Sequence, residues 1–269
     1  MPELAKLNTA FDWAPVPRLG GLLSEENAAF FDAHGYLRVR GALDLALVAE
    51  VAREIDGFEA VHAQALREAG PRQYDINDAE AITFTTHLVL RSPRLRAFAA
   101  HPVFAGLCAD LLAADARLYW DQAVYKKPEP ERDFPWHQDS GYTFTEPQHY
   151  LTCWTPLTPA TRDNGCPWVA PGVHRLGTLK HWWTDLGWRC LEDAPDAVAV
   201  EAEPGDIVCF SSLTPHRTGP NRTAEVRKAY ILQYATDPSW TRPRGAAGPV
   251  RQDDPDRQFV VLKDGRPVA

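Results

Sequence analysis

The chain has 269 residues, a mass of 30.0 kDa, a formal net charge of −8 and a pI near 5.6. That length suits a single large β-rich domain, and an acidic chain without a basic run lacks the footprint of a nucleic-acid or anionic-membrane binder. The sequence has neither a run of about 18 apolar residues nor a basic-then-apolar leader after Met1, and its five cysteines (Cys108, Cys153, Cys166, Cys190, Cys209) include no C-x-x-C pair. The expectation is a cytoplasmic protein with buried, reduced thiols, a monomer or homodimer that acts on a small molecule.

The N-terminal elements read as helical. Ser24 can cap a helix that carries Glu25 and Glu26 in its first turn and stops on Gly35. Tyr36 to Arg40 alternates as a strand, and Leu43 to Ile55 repeats apolar residues at helical spacing before Gly57. A further helical stretch runs from Pro93 to Ala114, broken near His101-Pro102 because a proline disfavours helix in the residue before it.

From Leu118 the pattern changes to short strands: Leu118–Tyr125, Tyr150–Leu157, Trp168–Ala170, Asp206–Phe210 and Lys228–Tyr234. Asn164-Gly165 and Pro171-Gly172 mark turns between them. Trp182–Pro204 reads as a loop-rich segment, and the Pro-, Gly-, Arg- and Asp-rich stretch from Pro238 to Asp256 reads as a loop-like tail. Helices first and strands later predict a mainly β fold in which a helical layer (about 1–115) packs on a barrel or jelly-roll core (about 116–236), followed by the tail (237–269).

The chemistry centres on His137-Gln138-Asp139, followed 79 residues after His137 by His216 and another 11 on by Arg227. Two imidazoles and one carboxylate occupy one face of an octahedral Fe(II) and leave positions open, the facial-triad arrangement. On an extended segment, residues i and i+2 point to the same side, so His137 and Asp139 can reach one metal. Phe134-Pro135-Trp136 before the motif and Ser140 to Phe144 after it put the motif at a strand end.

His216 follows the apolar strand Ile207-Val208-Cys209-Phe210, and the Gly219-Pro220-Asn221 turn folds the strand opened by Arg227 back beside it. An arginine projecting into a barrel needs a partner. A dicarboxylate cosubstrate supplies one, since a guanidinium can grip its distal carboxylate with a two-pronged fork. Thr218 can add a hydroxyl to the same carboxylate.

These segments resemble the phytanoyl-CoA dioxygenase family of Fe(II)- and 2-oxoglutarate-dependent oxygenases. The likeness is carried by Trp136-His137-Gln138-Asp139, Cys153 to Leu157, Asn164 to Arg175, Gly205 to Phe210, His216 and Arg227, with Phe31 to Gly41 matching the family's opening helix and strand. It spans roughly Leu23 to Ala235, and the ordered set is far more specific than any one motif. The resemblance implies a double-stranded β-helix (jelly-roll, cupin-like) core, iron on His137, Asp139 and His216, and 2-oxoglutarate on Arg227. Trp154, Thr218 and Gln138 are implied at the cosubstrate site, although the period-two argument points Gln138 away from the metal. The implied reaction consumes O2 and 2-oxoglutarate, releases succinate and CO2, and hydroxylates an unactivated C–H bond. The carboxylate of Asp139 argues for oxygenation over halogenation, which needs that position vacant for a halide.

His87, Tyr142, Phe144, Trp182 and Trp183 are the candidate substrate residues, with Trp188 in the same aromatic cluster, because long loops in compact domains carry binding groups. Each also has a structural reading, the tryptophans as caps on the barrel end. His174 reads as a loop fastener, and Lys126 and Lys127 read as solvated strand-end charges. Glu146 and Asp185 could meet a cationic or hydroxylated substrate. The competing interpretation is a non-catalytic cupin-like module holding Zn(II) or Ni(II), in which Arg227 pairs with a carboxylate of the protein.

Overall fold

The computed structural model describes residues 2–16, 19–70, 76–243, 245 and 247–268. In chain order the elements are α1 (Glu25–His34), β1 (Tyr36–Val39), α2 (Leu45–Ala69), β2 (Ile82–Thr86), α3 (Pro93–Ala99), α4 (Pro102–Leu111), β3 (Ala116–Lys126), β4 (Phe134–His137) and β5 (Phe144–Glu146). They continue with β6 (Leu151–Pro156), β7 (Pro167–Val169), β8 (Trp182–Thr184), β9 (Gly187–Arg189), β10 (Val198–Ala199), β11 (Ile207–Ser211) and β12 (His216–Thr218). The last are β13 (Arg227–Thr236), β14 (Trp240–Arg242), β15 (Val250–Arg251), β16 (Val260–Lys263) and β17 (Arg266–Pro267).

The local signals act as anticipated at α1, where Ser24 accepts from Asn27 N and Gly35 closes the helix at φ 77°. α2 departs from expectation. It begins on Asp44, whose carboxylate accepts from Ala46 N and Leu47 N, but runs through Gly57 to Ala69. A helical glycine costs about 1 kcal/mol relative to alanine, and the buried stripe of Val48, Val51, Ile55, Glu59 and Ala63 carries the helix across it. Proline breaks the next helical stretch into α3 and α4 at the expected place.

Two antiparallel sheets face each other. The larger has the order β1-β11-β6-β13-β3-β16-β17, with β2 also paired to β3, and the smaller has the order β10-β7-β12-β4. Period-two alternation divides the faces of the large sheet. Leu151 and Cys153 of β6, Tyr230, Leu232 and Tyr234 of β13 and Ala123 and Tyr125 of β3 pack with Val51, Ile55, Leu95, Phe104 and Leu107 of the helices. The opposite face, with Trp154, Val208, Phe210 and Ala229, meets Cys166, Val169 and Val200 from the smaller sheet's side. This is a mainly β, double-stranded β-helix fold backed by helices on one side.

Two further strand groups lie in segments read as loops. β8 and β9 form a hairpin within Trp182–Pro204, and in the tail β14 pairs with β5 and β15, while positions 244 and 246 of that tail lie outside the described residues. β16 then returns to pair with β3. These strands are three residues or so long, and their partners rather than their own composition hold them extended. Among the described residues, no helix is long and apolar enough to cross a membrane.

Candidate active site

His137 ends β4 and His216 begins β12, and the two are Cα partners across adjacent antiparallel strands. Residues in register on neighbouring strands point to the same face, and the two rings stand 4.2 Å apart between centroids. Each ring is oriented by the same device. Nδ1 of His137 donates to the carbonyl of Pro135 at 2.8 Å, and Nδ1 of His216 donates to that of Thr214 at 3.0 Å. A carbonyl can only accept, so Nδ1 carries the proton and the neutral ring presents the lone pair of Nε2 to the cavity.

Asp139 completes the cluster. Gln138 is still extended (φ −104°, ψ 142°), which keeps Asp139 on the side of His137, and a 3-10 turn over Asp139–Gly141 then leads the chain away. Oδ1 of Asp139 lies 3.9 Å from Nε2 of His137 and 3.7 Å from Nε2 of His216, and the three ligand atoms all lie within 4.8 Å of one another. Oδ2 accepts from the Thr152 hydroxyl at 2.6 Å, which fixes the carboxylate's rotation.

Burial dominates the electrostatics. It pulls His137 down to about 3, helped by His216, and His216 down to about 4, so both are in the ligating form. Burial also pushes Asp139 up, opposed by His137 and by the hydroxyl of Thr152. Two neutral imidazoles and one carboxylate that is costly to ionise alone fit a divalent cation, whose charge offsets the burial of the anion. The donor set suits non-haem iron.

A cavity runs from these residues between the sheets. Its walls include Thr152 and Trp154 of β6, Gln122 and Val124 of β3, Phe210 of β11, and Thr218 and Arg227 at the far end. Arg227 is 1% exposed. Its Nη1 donates weakly to the carbonyl of Val124 at 3.4 Å, its Nε and Nη2 have no partner, and its guanidinium carbon lies 5.4 Å from the centroid of Trp154. Burial alone holds it down to about 10. An orphaned, buried guanidinium fits an anionic group such as the distal carboxylate of 2-oxoglutarate.

A second, wider cavity of about 500 Å³ opens on the other side of His137 and Asp139. Tyr142 lines it, edge-on to His137 with ring centroids 5.6 Å apart. The other candidates lie elsewhere. His87 sits behind the wall, its ring 4.2 Å from that of Trp120. Phe144 belongs to β5, in register with Arg242 of β14. Trp182 and Trp183 belong to the β8–β9 hairpin, where Trp183 meets Trp188 edge-on. Trp120, Tyr119, Tyr150, Asn77 and Gln233 form the wall instead.

Gln138 is turned away from the cavity. Its Nε2 donates to the carbonyls of Gly177 and Leu213, and its Oε1 accepts from Leu179 N, so it ties the loop before His216 to the 177–179 segment. His174 is fully buried, 3.2 Å from the Asp32 carbonyl and edge-on to Trp13. Glu146 pairs with Arg242. The reading of the lysines needs correction: Lys126 is 3% exposed, and Lys127 pairs with Glu59 at 3.2 Å.

Two residues beside the metal cluster carried no separate signal. Thr152 becomes visible only once β6 is placed, two residues from Trp154. His181 accepts from the backbone N–H of Gln138 at 2.9 Å and donates to the Leu179 carbonyl, and Gly141 is packed so closely on its ring that a Cβ there would lie 2.1 Å away.

Comparison with known proteins points one way. The phytanoyl-CoA dioxygenase family model matches residues 31–229. A probable phytanoyl-CoA dioxygenase of Caenorhabditis elegans is 25% identical over 245 residues, 82% of this chain and 78% of that protein. Methylphosphonate hydroxylase of Gimesia maris is 34% identical over 129 residues, 47% of this chain and 48% of that protein. The epimerase SnoN, solved with Fe3+, alpha-ketoglutarate and nogalamycin RO, superposes with a TM-score of 0.63 at 24% identity, covering 85% of this chain and 93% of that one, a likeness of fold.

Proposed function

The chain belongs to the phytanoyl-CoA dioxygenase family and is an Fe(II)- and 2-oxoglutarate-dependent dioxygenase; from that premise we propose that it hydroxylates an unactivated C–H bond of an uncharged small molecule. In this reading His137, Asp139 and His216 hold the iron, and Arg227, Thr218 and Trp154 receive the cosubstrate. The observation that carries it is the pairing of a two-histidine, one-carboxylate cluster with an orphaned arginine at the far end of the same cavity.

When bound, iron and 2-oxoglutarate supply the oxidation, with O2 as oxidant and succinate and CO2 as by-products. The protein's own part is to bind, orient and exclude water. The Pro135 and Thr214 carbonyls fix which histidine nitrogen faces the metal, and Thr152 holds the carboxylate of Asp139. Arg227 can present its free Nε and Nη2 edge to a carboxylate, beside the indole of Trp154. Phe84, Phe134 and Phe210 surround the cavities with apolar surface.

The substrate class rests on the wider cavity. Its walls combine aromatic faces (Phe84, Tyr119, Trp120, Tyr142, Tyr150) with neutral amides (Asn77, Gln122, Gln233), and among the described lining residues none is a lysine or arginine. Such a lining suits rings and hydroxyl or carbonyl groups; among the described lining residues a phosphonate would meet no lysine or arginine, and the histidines there are His62 and His137. The carboxylate of Asp139 supports oxygenation over halogenation. The five cysteines are free and buried, which supports a reducing, cytoplasmic setting.

The test is a panel of uncharged and anionic small molecules incubated with the Fe(II)-loaded protein, 2-oxoglutarate and O2, scored by succinate and by a product 16 Da heavier (about one oxygen atom). Stimulation by uncharged compounds is expected. Stimulation by phosphonates alone overturns the substrate class. A bound metal without the weak visible band of an Fe(II)–2-oxoglutarate chelate overturns the placement of iron and cosubstrate and favours the non-catalytic module.

A further inference from the structure

The cosubstrate end holds a second buried cation. β3 ends on Lys126, the register partner of Arg227 in β13, and Gln122 and Val124 of the same strand line the cavity, so period two puts Lys126 on the cavity's face of the sheet. Lys126 is 3% exposed and Arg227 1%. Like charges directly opposite each other on paired strands are destabilising. Yet among the described residues neither cation forms an ion pair with a carboxylate.

The ammonium is held instead by oxygens of one turn. Nζ donates to the Thr218 carbonyl at 3.3 Å, to the Thr218 hydroxyl oxygen at 3.4 Å, and to the Gly219 carbonyl. Its backbone is fastened too, since Asn221 Nδ2 donates to the Lys126 carbonyl at 2.9 Å. The Asn164-Gly165 turn closes over the pair: Gly165 has φ +87°, and a Cβ there would lie 2.6 Å from the Gly219 carbonyl and 3.1 Å from Cδ of Lys126. A strand-end lysine is thereby enclosed.

We propose that Lys126 is a positioning residue for the distal carboxylate of the cosubstrate: by donating to the Thr218 hydroxyl oxygen it turns that hydroxyl's proton toward the carboxylate held by Arg227, and it couples cosubstrate binding to proton uptake. The inference rests on the reading of Arg227 and Thr218 as the cosubstrate site. A hydroxyl whose oxygen accepts from an ammonium must donate elsewhere, and Thr218 lines the cavity beside Arg227. Burial first, then Arg227, holds Lys126 down to about 7, with Arg217 acting in the same direction and Asp133 and Glu129 opposing. A carboxylate bound at Arg227 favours the ammonium and raises that value. The sign follows: affinity is full below about pH 7, where the free protein already carries the proton, and falls as pH rises toward the value in the complex.

The experiment titrates 2-oxoglutarate into the Fe(II)-loaded protein without O2, by calorimetry in buffers of differing ionisation enthalpy, at about pH 6 and about pH 8. In the native protein binding takes up protons at the higher pH and is weaker there. Lys126→Met binds about tenfold more weakly at the lower pH, the factor carried by a hydrogen bond to a charged group, and takes up no proton. Lys126→Arg, always charged, restores the affinity and removes its dependence on pH, which a merely structural role would not do. A Lys126→Met protein with native affinity and native proton uptake overturns the inference. If that variant does not fold, the Lys126→Arg profile decides alone: a dependence on pH equal to the native one overturns it. If Arg227→Met abolishes binding while both lysine variants behave as native, only this inference fails; if the native protein does not bind 2-oxoglutarate, the underlying reading fails with it.

Discussion

At the metal end of the cavity each histidine has its outer nitrogen answered by a backbone carbonyl two residues back, and Asp139 has the Thr152 hydroxyl. At the other end Arg227 keeps two of its nitrogens unanswered, with Lys126 opposite it in the register. The first end is preformed by the chain's own hydrogen bonds. The second is left with unpaired donors, which an anion would complete. Binding there should therefore act on stability as well as on catalysis, because a ligand that meets the folded state alone stabilises it by mass action.

The largest expected effect comes from breaking the preformed end. His137→Ala removes one of the three ligands, and succinate formation and the visible chelate band are both expected to vanish. Unchanged succinate production would sink the iron assignment. Because the cluster is tied to backbone carbonyls rather than to Arg227, this variant is expected to keep its fold by circular dichroism.

The incomplete end responds differently. Arg227→Met is expected to raise the 2-oxoglutarate requirement about 100-fold, the worth of a two-pronged charged contact, while iron is still bound. Its apo form should be more stable than native by about 1–2 kcal/mol, since replacing an uncompensated buried charge by an apolar side chain often stabilises. Opposite signs for binding and stability, read by titration and by urea unfolding, are the signature. A destabilised apo variant would mean that the guanidinium is already satisfied.

Much of this arrangement is legible along the chain because the key residues sit at strand ends beside turn signals. His137, Asp139 and His216 come together because β4 and β12 are register partners, and the strands themselves alternate as period two requires. Lys126 is the instructive failure. A charge at the end of a strand reads as solvated, and nothing local announces that the Thr218–Asn221 and Asn164-Gly165 turns fold over it. The cavity wall fails for a related reason: Tyr119 and Trp120 look like ordinary strand residues, whereas Trp182 and Trp183 look conspicuous yet pair within their own hairpin. α2 outlasted Gly57 because burial of its stripe outweighs one local penalty. Which side chain lines a site depends on which strands become neighbours.

Gln138 sharpens the same contrast, because it lies between two metal-cluster residues and serves neither end. It is fully buried, and its three backbone partners belong to the loops at Gly177, Leu179 and Leu213. Gln138→Met is expected to lower stability by about 2 kcal/mol, the cost of leaving buried backbone groups unpaired. The affinity of the folded fraction for 2-oxoglutarate should stay native. A raised dissociation constant without loss of stability would return Gln138 to the cosubstrate site.

The smallest effect concerns a carboxylate remote from both ends, useful because it reverses the behaviour of Asp139. Burial raises Asp206 as well, but the N–H groups of Glu203 and Gly41 and the guanidinium of Arg38 outweigh it and hold it below the usual range. The bonds are 3.0 Å from each N–H and 2.6 Å from Arg38, tying β1 and the turn after it to the start of β11. Asp139 has the Thr152 hydroxyl and the Gln233 amide in place of these donors, and its carboxyl is raised. A folded value below the unfolded one means that Asp206 contributes stability above its ordinary value of 3.8, lost as pH falls through the folded value. Asp206→Asn should therefore cost about 1–2 kcal/mol near neutrality, read by urea unfolding. That cost should shrink toward zero in acid, where the native carboxyl is itself protonated. A penalty that stays constant with pH would show that the Asp206 contacts act through shape, and that the contrast with Asp139 is not one of charge.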